Sequence, residues 1–75
     1  MTDRVRLRFD LFGRPIEVAR EGGRWRAYHL GAEGKRRPAD DIEIPPEIAA
    51  DAIGAWLDDM FHEYATAARP QVRRL

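Results

Sequence analysis

From Val5 to Phe12, apolar and charged residues alternate, with Val5, Leu7, Phe9 and Leu11 set against Arg4, Arg6, Arg8 and Asp10. A period of two marks a strand with one buried face. Gly13-Arg14 places glycine first in a two-residue loop, which suits a type II′ hairpin. Pro15 then opens a second strand, Ile16 to Arg20, at a position where proline is tolerated. Gly22-Gly23 supplies another turn, and Trp25 to Leu30 a third strand. Gly31 to Asp41 is a polar connection. A short extra strand fits near 41–44, where Pro45 biases the residue before it toward extended backbone. Pro46 and Glu47 suit the first turn of a helix that runs to about Ala67 and stops before Pro70. Along it Ala52, Ile53, Trp56, Leu57, Met60 and Tyr64 form one apolar stripe. The expected fold class is α+β: a three-stranded antiparallel β-meander packed on one long C-terminal α-helix. It forms a single domain over residues 1–75, with residues 1–3 and 69–75 as flexible ends.

Two-residue loops fix the pairing by counting. Around Gly13-Arg14, Leu11 falls opposite Ile16 and Phe9 opposite Val18. Around Gly22-Gly23, Val18 meets Ala27, Ile16 meets His29 and Arg20 meets Trp25. The apolar residues of all three strands then share the face toward the helix, and a one-residue slip would turn every side chain over. On this count Trp25 belongs to the core, with Arg20 beside its indole, and His29 is partly buried with one ring nitrogen satisfied. The outer face carries Arg6, Arg8, Arg24 and Arg26 toward one end and Phe12, Pro15, Tyr28 and Leu30 toward the other. An apolar patch beside charges marks a contact surface.

Composition sharpens this picture in three respects. Formal net charge is zero, yet residues 1–37 hold ten Lys/Arg against five Asp/Glu, and residues 38–75 hold three against eight. Either the halves pack together and neutralise each other, or the basic half faces an anionic partner. Cysteine is absent, which excludes disulfides and thiolate zinc clusters and fits a reducing, cytoplasmic compartment. No apolar run is long enough for a signal peptide or membrane span. Serine is absent too, so Ser or Cys nucleophilic catalysis is excluded.

Other chemistry is thinly represented. Asp58 and His62 are spaced i,i+4 on a helix, with Asp51 on the same ridge, but no third strong ligand follows and no metal site is expected. Asp59 and Glu63 form a second such pair and are expected to meet the arginine-rich sheet. Gly22-Gly23 and Gly31-x-x-Gly34 lead into no helix and make weak phosphate loops. No catalytic residue and no cofactor are expected.

A sheet of three strands backed by one helix resembles the plant AP2-type and phage-integrase arm-binding DNA domains, whose sheets enter the major groove. GRWRAYHL, Lys35-Arg36-Arg37 and the following helix carry that likeness over about 45 residues. The acidic second half and zero net charge weigh against it, since DNA modules are commonly basic. FDLFGRPIEV, GRWRAYHLGAEGKRR, DIEIP and LDDMFHEYA resemble a family of small stand-alone bacterial proteins known only as a domain of unknown function. That resemblance implies a β-meander with a helix and gives no activity.

The sequence therefore predicts a non-enzymatic binding module. Its expected contact is another protein or a second copy, through Phe12, Tyr28, Leu30 and Arg26. The alternative is nucleic acid, held through phosphate contacts at Arg6, Arg8, Arg24, Lys35, Arg36 and Arg37. No membrane is involved.

Overall fold

Residues 5–75 are described by a computed structural model. The expected flexible stretch 1–3, and Arg4 of the alternating pattern, lie outside the described residues. The described residues form five strands: β1 (Arg6–Leu11), β2 (Arg14–Glu21), β3 (Arg24–Leu30), β4 (Arg36–Pro38) and β5 (Arg73–Arg74). They join in one antiparallel sheet, ordered β4-β3-β2-β1-β5. The one α-helix among the described residues, α1 (Ile53–Met60), lies between β4 and β5 in the chain, flanked by 3₁₀ turns at Ala50–Ala52 and His62–Tyr64.

This corrects the expected three-stranded meander with one long C-terminal helix. The molecule is a mostly β, five-stranded sheet with one eight-residue helix. The predicted helix from Pro46 to Ala67 is broken at both ends by tertiary contacts. At its start, Trp25 Nε1 donates to the Ile48 carbonyl at 2.8 Å, and Ala49 is extended. Ala52 N donates to the Ala49 carbonyl at 2.9 Å, not to that of Ile48, and no side chain caps a start there. At its end, Phe61 leaves helical geometry and packs edge-to-face on Trp56, with ring centroids 6.4 Å apart. A helix over all twenty-two residues would run about 33 Å, far longer than the six-residue β1 at about 20 Å. The shorter helix lets the chain turn at Thr66–Arg69, whose backbones exchange two hydrogen bonds, and return along β1 as β5. Residues 69–75, expected as a flexible end, carry that strand.

The extra strand expected near 41–44 is absent. Ile42 and Ile44 are buried, but in a segment without regular secondary structure that pairs with no strand. The fourth strand lies earlier, at Arg36–Pro38, after a turn in which Glu33 and Gly34 take positive φ and Gly31 N donates to the Lys35 carbonyl at 2.7 Å.

The register around Gly22-Gly23 is the one counting gives: Ile16 meets His29, Val18 meets Ala27 and Arg20 meets Trp25. The first hairpin is shifted by two residues. Its loop is Phe12-Gly13, so Leu11 pairs with Arg14, Phe9 with Ile16 and Leu7 with Val18. Both loop residues have positive φ (51° and 98°), the type I′ turn whose twist matches the strands. Asp10 supports it by accepting from Gly13 N at 2.9 Å. A shift of two preserves the faces, so the core is still Leu7, Phe9, Leu11, Ile16, Val18, Trp25 and Ala27. Ala39, Ile42, Ile44, Ile53 and Leu57 cover it from one side, and among the described residues no helix lies against the other face of the sheet.

Candidate functional site

Register places the outer-face side chains in rows. Arg8, Glu17, Tyr28 and Pro38 form one row across β1 to β4; Arg6, Ala19 and Arg26 form the next. On the far side, Asp10, Pro15, Leu30 and Arg36 form a third, while Glu21 and Arg24 lie opposite each other at the β2–β3 turn.

At the centre of this polar face Glu17 is only 2% exposed. Two arginines arch over it from opposite sides, Arg8 from β1 and Arg36 from the edge strand β4. Arg8 Nε donates to Oε1 at 3.3 Å, and Arg36 Nη1 donates to Oε2 at 2.7 Å. The Arg36 guanidinium lies 4.1 Å from the Tyr28 ring centroid, and the Tyr28 hydroxyl donates to the Glu21 carboxylate at 3.1 Å. Burial pushes the Glu17 carboxyl upward in pKa, but the hydrogen bonds and charges of Arg36 and Arg8 outweigh it and hold the group below the ordinary carboxylate range. A carboxylate buried on a nominally solvent-facing side is tolerable because both of its oxygens are paired.

Beside this clasp is a cleft of about 450 Å³ lined by Arg6, Arg8, Glu17, Leu30, Gly31, Gly34 and Arg36. The expected phosphate contacts therefore separate into groups. Arg6, Arg8 and Arg36 converge on the cleft, and Lys35 stands in the adjoining turn. Arg24 lines a different cleft of about 360 Å³ with Trp25 and Glu43–Pro46. Arg37 pairs with His29 in register and so falls on the opposite face of the sheet. Of the expected partner contacts, Arg26, Tyr28 and Leu30 share the outer face. Phe12 does not join them: it occupies the β1–β2 turn, packs against the core and meets His62 edge-to-face at 6.5 Å.

Glu17 is the residue that sequence reasoning passed over. Its alternation marks it as one more polar outer residue, and its burial depends on β4. The usable signal was Lys35-Arg36-Arg37-Pro38, a charged, proline-terminated stretch of the kind found at sheet edges.

The remaining titratable pairs serve structure. His29 Nε2 lies 3.3 Å from Asp41 Oδ1, and Asp58 Oδ1 lies 3.4 Å from His62 Nδ1. The other Asp58 oxygen accepts from Val72 N at 2.9 Å, tying the chain's return to the helix. Asp59 and Glu63 are exposed and form no ion pair among the described residues; they lie on the helix layer, away from the outer arginines. Among the described residues, no group of three His, Cys, Asp or Glu is placed to hold a metal ion, and no helix is long and apolar enough to cross a membrane.

These features define a small, mostly β module with an arginine-bearing sheet face. The chain belongs to the family described as Domain of unknown function (DUF7661), which matches residues 6–75. Neither a curated protein nor a solved structure matches it. The five strands and short helix also depart from the topology on which the likeness to AP2-type domains depends.

Proposed function

We propose that this chain is a non-catalytic cytoplasmic module that binds a protein partner, or a second copy of itself, through the outer face of its sheet. One observation carries the reading: the helix and the segments at Ala39–Ile44 pack on the other face, and among the described residues no helix lies over Arg6, Arg26, Tyr28 and Leu30. The absence of cysteine supports the compartment. A rigid sheet face with arginine, tyrosine and a half-buried leucine has the residue types that dominate interface energetics.

The test is a pair of charge reversals on opposite sides. Arg26→Glu is expected to weaken partner binding about tenfold or more, by the usual magnitude of an interface arginine, and to lower any concentration-dependent mass in light scattering. Asp59→Arg with Glu63→Arg, on the helix layer, is expected to leave both unchanged. Equal behaviour of the two variants would sink the reading. The arginine excess of the outer face supports nucleic acid as a second reading, whose signature is affinity that falls steeply with added salt.

A further inference from the structure

We infer that the Arg6–Arg8–Arg36 cleft is a binding site for a phosphate monoester, carried by the protein partner of the proposed outer-face interaction. The inference rests on that reading and specifies the chemistry the face takes.

Three guanidiniums and one carboxylate line the cleft, leaving two positive charges in excess. A phosphate monoester carries between about 1.5 and 2 negative charges at neutral pH, which balances that excess. The donors are also set in advance. Glu17 engages Arg8 through Nε and Arg36 through Nη1, and among the described residues neither guanidinium makes another hydrogen bond. Tyr28 supports the flat side of Arg36. Holding each arginine at a single edge leaves its other N–H groups for a ligand, and planar guanidinium forks match phosphate oxygens. Arg6 lines the same cleft and forms no ion pair among the described residues.

The arrangement favours one discrete dianion over a nucleic-acid backbone. A duplex or strand needs a line of cations at phosphate spacing. Here Arg24 belongs to another cleft, Glu21 stands opposite it, and Arg37 is on the far face.

The test is fluorescence anisotropy with a labelled phosphoserine peptide in Gly-Ala flanks, its unphosphorylated form, and competition by free O-phosphoserine and by a single-stranded DNA oligonucleotide. The phosphopeptide is expected to bind at least tenfold more tightly than the plain peptide. O-phosphoserine should displace it; displacement at equal concentration would locate the recognition in the phosphoryl group alone. Arg6→Glu should abolish binding while leaving the thermal melt intact, because Glu17 keeps both of its partners. Arg37→Glu, on the opposite face, should change nothing. Equal affinity for the two peptides, wild-type binding by Arg6→Glu, or an oligonucleotide preferred over the phosphopeptide overturns the site. Loss of partner binding in Arg26→Glu together with indifference to phosphorylation would leave the outer-face reading standing without it.

Discussion

Glu17 shows how far one side chain can depart from its pattern. Alternation puts it on the solvent side of β2, and so it is placed; yet arginines from β1 and β4 close over it. The strand pattern carries the direction of the side chain, whereas its burial depends on a strand with no apolar signature. Because the folded carboxyl sits below its unfolded value near about 4.3, its stabilisation is fully present above that value. It is lost as the pH falls through the lower folded value. Glu17→Gln should therefore cost about 1.5–3 kcal/mol at pH 7, the scale of hydrogen bonds to charged groups. In urea titrations that gap should narrow as the pH falls below the ordinary carboxylate range; a gap independent of pH would contradict the pairing. Trp25 and His29 were more legible. Counting from Gly22-Gly23 puts both on the inner face, where Trp25 bonds Ile48 and His29 reaches Asp41. Phe12 was misread because apolar alternation and turn geometry compete at a hairpin tip. The turn prevailed despite about 1–2 kcal/mol for a left-handed residue.

At the level of elements, central strands were readable and the covering layer was not. β1, β2 and β3 have alternation and glycine turns that agree locally, so little outside them is needed. α1 has a good apolar stripe, but its length is decided by partners distant in sequence: Trp25 takes a carbonyl at one end and Phe61 packs on Trp56 at the other. The part that remains helical buries Ile53 and Leu57 completely against the sheet. Leu57→Ala is expected to cost about 2–5 kcal/mol through lost burial and the cavity left behind, read as a lower denaturation midpoint. Gly54 faces the Phe9 ring so closely that an added Cβ would lie 3.2 Å from it. Gly54→Val should accordingly overpack the contact, costing about 1–3 kcal/mol, whereas Gly23→Ala has open space around its Cβ and only the turn's positive φ against it.

Across the whole molecule, the charge division along the chain becomes a division between layers. All eight carboxylates of residues 38–75 lie in the segments from Asp40 to Glu63 that cover the inner face, while Arg6, Arg8, Arg26 and Arg36 stand on the outer one. The two layers do not neutralise each other by direct pairing: among the described residues no arginine of the first half forms an ion pair with a carboxylate of the second, and the one arginine–carboxylate pair between the halves joins Arg69 to Asp10. The chain thus retains a basic side despite its zero net charge, which composition alone could not reveal.

The place of β5 has a consequence for how fast the molecule forms and comes apart. Its two residues pair with Phe9 and Asp10, so that rung closes almost the entire chain into a loop. Loop closure of that length is entropically costly and rewarded by very few hydrogen bonds, which makes the rung a late event. Contacts absent from the transition state govern the rate of unfolding and leave the rate of folding alone. Removing residues 72–75 should then leave refolding within about twofold of the full chain while speeding unfolding about tenfold, for a loss near 1.4 kcal/mol. Stopped-flow tryptophan fluorescence across a urea series separates the two arms. Refolding slowed in proportion to the lost stability would mean instead that the two ends of the chain meet early.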